Sequence, residues 1–110
     1  MLVNIFGKRG AGKTHAIKNA IYYCETPVVV IDILGNFSEL KKSYQTDSLS
    51  DALQKIKNYN EYEAASDNER SFMDEVAPII VLQPADPNEA IDFVSALLWH
   101  EEGGTLVIDE

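Results

Sequence analysis

Eight consecutive residues, Gly7-Lys8-Arg9-Gly10-Ala11-Gly12-Lys13-Thr14, limit what this chain can fold into more than any other feature. They follow a short apolar run, Leu2-Val3-Asn4-Ile5-Phe6, that reads as a buried strand. They precede a segment in which Ala16, Ile17, Ala20 and Ile21 recur at helical spacing, which predicts a helix to about Tyr23 or Cys24. A strand that turns through glycines into a helix needs a sheet beside it and a helical layer over it.

The rest of the chain repeats that alternation. Pro27 ends the first helical pattern, and Val28-Val29-Val30-Ile31-Asp32-Ile33 is the strongest strand signal in the sequence. Its four consecutive β-branched residues suit a strand covered on both faces. Ile79-Ile80-Val81-Leu82 reads as a third strand and Thr105-Leu106-Val107-Ile108 as a fourth, ending in Asp109-Glu110. Between these two, Asp86 caps a helix, with Pro87 at its first position and Glu89 placed for a capping box. Ala90, Ile91, Val94, Leu97 and Leu98 give that helix an apolar face, and Gly103-Gly104 stops it. Residues 37–77 read as a variable helical insertion, clearest where Leu49, Ala52, Leu53 and Ile56 follow Ser48 as a cap. The order β-α-β-(helical region)-β-α-β predicts an α/β fold: a parallel sheet between helical layers.

Composition narrows the class. With 110 residues, 45% of them hydrophobic, the chain is one small domain or part of one. A single cysteine, Cys24, excludes an intrachain disulfide and fits a reducing compartment, so the cytoplasm is expected (host cytoplasm if viral). No apolar run approaches the roughly 20 residues of a membrane span, and a basic glycine loop stands where a signal peptide needs its apolar core. The net charge of −9 is uneven. Residues 1–45 carry six basic and three acidic side chains, and residues 46–110 three basic and fifteen acidic. That balance argues against a domain that coats nucleic acid non-specifically, but it leaves room for a local basic contact or an oligomer with a basic pore.

Gly7 to Thr14 matches G-x-x-x-x-G-K-[ST] at every fixed position. Glycines let the backbone curl so that successive N–H groups converge on a phosphate. The helix that follows offers its N-terminus to an anion. Lys13 is placed to neutralise β- and γ-phosphates, and Thr14 to offer a hydroxyl to Mg²⁺. With glycine at about 7% of residues, a chance match in a chain this long is on the order of 0.5%. Lys8 and Arg9 occupy variable positions. Their plain reading is exposed loop residues, and the sharper one is extra charge near phosphates or a neighbouring subunit. His15, on the first helical turn, reads as a packing or surface residue beside the nucleotide-binding set.

At the other end of the chain, Leu106-Val107-Ile108 leads into two acids. Ligands of open parallel sheets bind beyond the carboxyl ends of the strands. Asp109 is there to hold Mg²⁺ opposite Thr14, and Glu110 to activate water. Asp32 also ends an apolar strand, either lining the same crevice or capping a strand end with no chemistry. Asp74 and Glu75 read as surface acids.

The loop at 7–14 with the acids at 109–110 resembles the P-loop NTPases, of the division with an additional strand and a catalytic glutamate. Within it the chain is similar to the HerA/FtsK group of DNA-pumping and packaging ATPases, including Zot-like phage proteins. The likeness lies in Asp32-Ile33-Leu34-Gly35, and in the run from Val81 through Pro84 and Asp86 to Glu110. Leu34 and Asn36 depart from the basic and acidic residues common in that group. The resemblance implies a three-layer P-loop NTPase core with strand order 1-4-3-2, counting strands 2–6, 28–33, 79–82 and 105–108, so that 2–6 is an edge strand. It implies ATP and Mg²⁺ as cofactors and Gly7 to His15 as the nucleotide-binding residues. Lys13 and Glu110 would be catalytic, and Thr14 and Asp109 would hold the metal. It also implies a homo-oligomeric ring acting on double-stranded DNA. Members continue past the glutamate with a sensor residue, further strands and an arginine finger. Residues 1–110 are therefore expected to be the N-terminal part of a longer ATPase domain, truncated after the fourth strand. Two other readings stand beside this one: an AAA-type ATPase that remodels or loads protein, and a non-catalytic nucleotide-binding assembly module. A small-molecule kinase lacks a recognisable lid or acceptor pocket.

Overall fold

Five parallel strands form one sheet, in the order β1-β5-β2-β4-β3. The computed structural model describes residues 2–6 (as backbone), 17–99 and 103–109. The strands are β1 (Leu2–Phe6), β2 (Val28–Asp32), β3 (Ser43–Thr46), β4 (Ile79–Leu82) and β5 (Thr105–Asp109). Helical residues 17–21 are α1, and α2 (Leu49–Ala64), α3 (Asp67–Arg70) and α4 (Ala90–Leu98) follow. The result is an α/β fold with an all-parallel sheet, compatible with a Rossmann-like arrangement.

Side-chain alternation along the strands builds two cores. Val29, Ile31, Ile80, Leu82 and Leu106 pack on Ala52 and Ile56 of α2 and on Ala90, Phe93 and Leu97 of α4. Val28, Val30, Ile79, Val81 and Val107 pack on Ile17 and Ile21 of α1 and on Phe37. The division of helices follows from chain direction. The connection from β1 to β2 crosses the sheet one way, while those from β3 to β4 and β4 to β5 return the other way. Crossovers of one hand then place α1 on one face, and α2 and α4 on the other.

The strand order differs from the expected 1-4-3-2. β2, not β4, lies next to β5, and β4 lies outside β2. The reason is burial. Val28 to Asp32 are all fully buried, and Val28 to Ile31 stand in register with strands on both sides. The expected order leaves this most apolar strand at the sheet edge with an unpaired ladder, an unfavourable place for it. The edge beyond β4 is instead occupied by β3, whose Ser-Tyr-Gln-Thr sequence is only partly buried. Residues 37–77 are thus not wholly helical. β1 pairs with β5 at the other edge, as expected for the first strand.

Local signals account for the helices. Ser48 caps α2 by accepting from the Asp51 amide, and Ala52, Ile56 and Tyr59 form its buried stripe. A full capping box, Ser66 with Glu69, starts the short α3, and the Ser66 amide holds the Glu69 carboxyl below its ordinary value. Tyr44 ties β3 to α2 by donating its hydroxyl to Asp51 at 2.8 Å. That bond lowers the Asp51 carboxyl and raises the Tyr44 hydroxyl. Because the folded Asp51 value is depressed, its contribution is present at neutral pH and is lost as pH falls through that lowered value.

The start of α4 departs from the expected capping box. Asp86 caps a 3₁₀ turn, Pro87–Glu89, by accepting from Asn88 rather than Glu89, and α4 begins at Ala90. Its buried residues are Ala90, Phe93 and Leu97, with Val94 packed beside them, whereas Ile91 and Leu98 face outward. The helix ends at Leu98, before Gly103-Gly104, so those glycines do not stop it. Gly104 has another role. It sits at φ +130°, and a Cβ there would lie 2.5 Å from the Pro27 carbonyl oxygen. That carbonyl accepts the Thr105 amide at 3.0 Å and so cannot move aside without losing the bond that starts β5. Gly104→Ala is expected to lower stability by about 2 kcal/mol, read as a lower midpoint in chemical denaturation.

Candidate nucleotide and metal site at the strand ends

The carboxyl ends of β1, β5 and β2 lie side by side. Phe6 is in register with Asp109, and Asp109 with Asp32. In sequence, Phe6 is followed directly by Gly7, the first residue of the glycine-rich motif. Gly7, Lys8, Arg9, Gly10, Ala11, Gly12, Lys13, Thr14 and His15 lie outside the described residues, as does Glu110. Of the expected site residues, the structure therefore describes Asp109.

Asp109 and Asp32 share a sheet face. By alternation each follows the residues that pack on α1, Val107 in β5 and Val30 in β2. Both carboxylates are almost wholly buried, Asp32 at 0% exposure and Asp109 at 4%. Burying a carboxylate is costly unless hydrogen bonds or cations compensate, so each partner matters.

The two acids are held differently. Asp32 Oδ1 accepts the Asn36 amide and Oδ2 the Phe37 amide, each at 2.9 Å. Both oxygens thus organise the turn that follows β2, where Gly35 takes the left-handed φ of +78°. The turn delivers Phe37 into the core under α1, fully buried with Ile17 and Ile21. Of the two readings of Asp32, the structure carries the capping one. Among the described residues Asp109 accepts one bond, from Asn36 Nδ2 to its Oδ2 at 3.3 Å, and its Oδ1 accepts none.

That arrangement suits a hydrated divalent cation. Mg²⁺ keeps several waters and takes one or two protein oxygens alongside phosphates. A buried carboxylate whose Oδ1 accepts no hydrogen bond among the described residues meets that need. Among the described residues no three His, Cys, Asp or Glu side chains form a metal-binding group.

A separate cavity of about 370 Å³ opens at the amino ends of β3 and β4, lined by Ser43, Tyr44, Lys55, Glu61, Met73 and Ala77 among others. It lies across the sheet from the strand ends that carry Asp32 and Asp109. Asp74 and Glu75 are exposed, as expected of surface acids.

Asn36 joins the site only through the fold. Its one local signal is the spacing Asp32-x-x-Gly35-Asn36: a strand-ending acid, a left-handed glycine, then a side-chain donor. Such a turn is legible in sequence, but its aim at Asp109 depends on which strand lies beside β2.

No protein-family model, curated protein or solved structure matches the chain. Among the described residues no helix is long and apolar enough to cross a membrane.

Proposed function

We propose that this chain is the ATP-binding and hydrolysing module of a DNA-translocating or DNA-packaging motor. The observation that carries the reading is the register of β1 with β5. It sets Phe6, the residue before Gly7, opposite Asp109, which supports pairing the glycine-rich motif with the strand-ending acid. Distant in sequence, they are the two halves that phosphoryl-transfer chemistry needs.

In this reading, backbone N–H groups of residues 7–14 and the Lys13 ammonium bind the phosphates. The Thr14 hydroxyl and the Asp109 carboxylate hold Mg²⁺. When bound, Mg²⁺ supplies charge neutralisation at the phosphate oxygens. Glu110 takes a proton from water at its carboxylate and fixes the direction of attack. The substrate half of the proposal, a homo-oligomeric ring acting on double-stranded DNA, comes from the sequence resemblance. The acidic residues 46–110 require that any DNA contact be local or made by the assembled ring.

The test is steady-state ATP hydrolysis by the full natural chain, with and without double-stranded DNA. The expected result is magnesium-dependent hydrolysis that DNA stimulates. Hydrolysis indifferent to DNA would replace the motor with a protein-remodelling ATPase. Tight Mg-ATP binding with no turnover in the assembled state would make the chain a non-catalytic assembly module.

A further inference from the structure

Asp109 has a dedicated holder that the motif reading does not include. Asn36 stands on the turn after β2, four residues beyond Asp32, and its backbone is pinned by the Asp32 carboxylate at 2.9 Å. Its side chain reaches across to β5 and meets Asp109 Oδ2 at 3.3 Å. A carboxylate oxygen only accepts, so the amide nitrogen of Asn36 is the donor. The contact spans 73 residues of sequence, and the neighbouring register of Asp32 and Asp109 makes it possible.

We infer that Asn36 is the positioning residue for the metal-holding carboxylate. It occupies Oδ2 of Asp109, fixes the plane of the carboxyl group and leaves Oδ1, which accepts no bond among the described residues, for a cation's hydration shell. This rests on the proposed nucleotide site. The physical logic is that of outer-shell partners of metal ligands. A hydrogen bond on one oxygen restricts rotation of the carboxylate and so lowers the cost of presenting the other. Asp32 acts one step further back, holding the Asn36 backbone while Asn36 holds Asp109. Asn36 itself is exposed, unlike the two acids it connects. Its replacement removes the bond to Asp109 without opening a core cavity.

The experiment measures binding rather than turnover. A fluorescent ADP analogue is titrated into the full natural chain with EDTA, and then at rising Mg²⁺, for wild type, Asn36→Ala and Asn36→Gln. Mn²⁺ electron paramagnetic resonance with ADP gives a second, direct reading of the metal. In Asn36→Ala the half-saturating Mg²⁺ and Mn²⁺ concentrations are expected to rise about tenfold, while nucleotide affinity in EDTA stays unchanged. Asn36→Gln keeps an amide donor and is expected to recover most of that loss. Circular dichroism of each variant reports folding. An Asn36→Ala chain that unfolds would make the residue a structural one and overturn the inference. So would metal half-saturation equal to wild type in a folded variant, or an equal loss of affinity in EDTA. A wild-type chain that binds nucleotide with no dependence on Mg²⁺ overturns the inference and spares the phosphate-binding part of the proposed function. A wild-type chain that binds no nucleotide overturns both.

Discussion

Lys13→Ala is expected to weaken ATP binding by about 100-fold and to abolish hydrolysis at ordinary nucleotide concentrations. The lysine is the fixed cation of the motif, and in the proposed site its ammonium makes charge-assisted hydrogen bonds to phosphate oxygens. Each such bond contributes about 1.5–3 kcal/mol net, and about 1.4 kcal/mol is a factor of ten in affinity. Glu110→Gln separates binding from chemistry. The amide keeps the size of the carboxylate and cannot take a proton, so turnover is expected to fall by about 10²–10⁴-fold with ATP affinity retained. Isothermal titration for binding and phosphate release for turnover measure the two quantities independently. ATP affinity unchanged in Lys13→Ala would remove residues 7–14 from the site. Full turnover in Glu110→Gln would remove the glutamate from the chemistry and leave the binding loop intact.

The second large effect concerns stability. Asp32→Ala is expected to destabilise the fold by about 3 kcal/mol, because the Phe37 amide loses its acceptor in a buried setting and the Asn36 amide loses its own. For a domain of this size that is a fall in melting temperature of about 15 °C. The damage reaches further than the two bonds, since the turn they hold carries Phe37 into the core below α1. Phe37→Ala removes the same anchor from the other side and is expected to cost about 4 kcal/mol. The double variant should then lose less than the sum, since the residues act through one turn. Thermal denaturation of the single and double variants decides the matter. An Asp32→Ala chain as stable as wild type but without activity would return Asp32 to the crevice as a chemical group and displace its capping role.

Several elements are legible in the sequence because their causes are local. The run of β-branched residues at 28–31 makes a strand wherever it lies, since its side chains resist helix and demand cover. Ser48 ahead of Leu49, Ala52 and Ile56 is both a cap and a stripe, and α2 begins where that pairing says. Pro87 after Asp86 marks a helical start, although the bond falls on Asn88 and a 3₁₀ turn precedes α4. The four residues of β3 give little sign. Their polar sequence at a sheet edge has no apolar periodicity to detect, and only pairing with β4 makes them a strand.

Gly104 shows how a residue can stand out in sequence for one reason and matter in the fold for another. Two glycines after an apolar helix suggest a helix stop. The constraint instead comes from Pro27, close in space and distant in sequence, whose carbonyl leaves no room for a Cβ.

Apart from β3, sequence alone specifies the strands and the chemistry offered at their ends: apolar runs that must pair, a glycine-rich motif after the first of them and acids after the second and the last. Those properties depend on spacing within a few residues. Which ends meet is settled at the level of the whole sheet. β2 takes an interior place because a strand buried on both faces is best satisfied with hydrogen-bonding partners on both edges. That placement sets Asp32 beside Asp109, and so brings Asn36 within hydrogen-bond reach of it. Strand order depends on which ladders and faces bury the most surface together, a property that no local window of sequence contains.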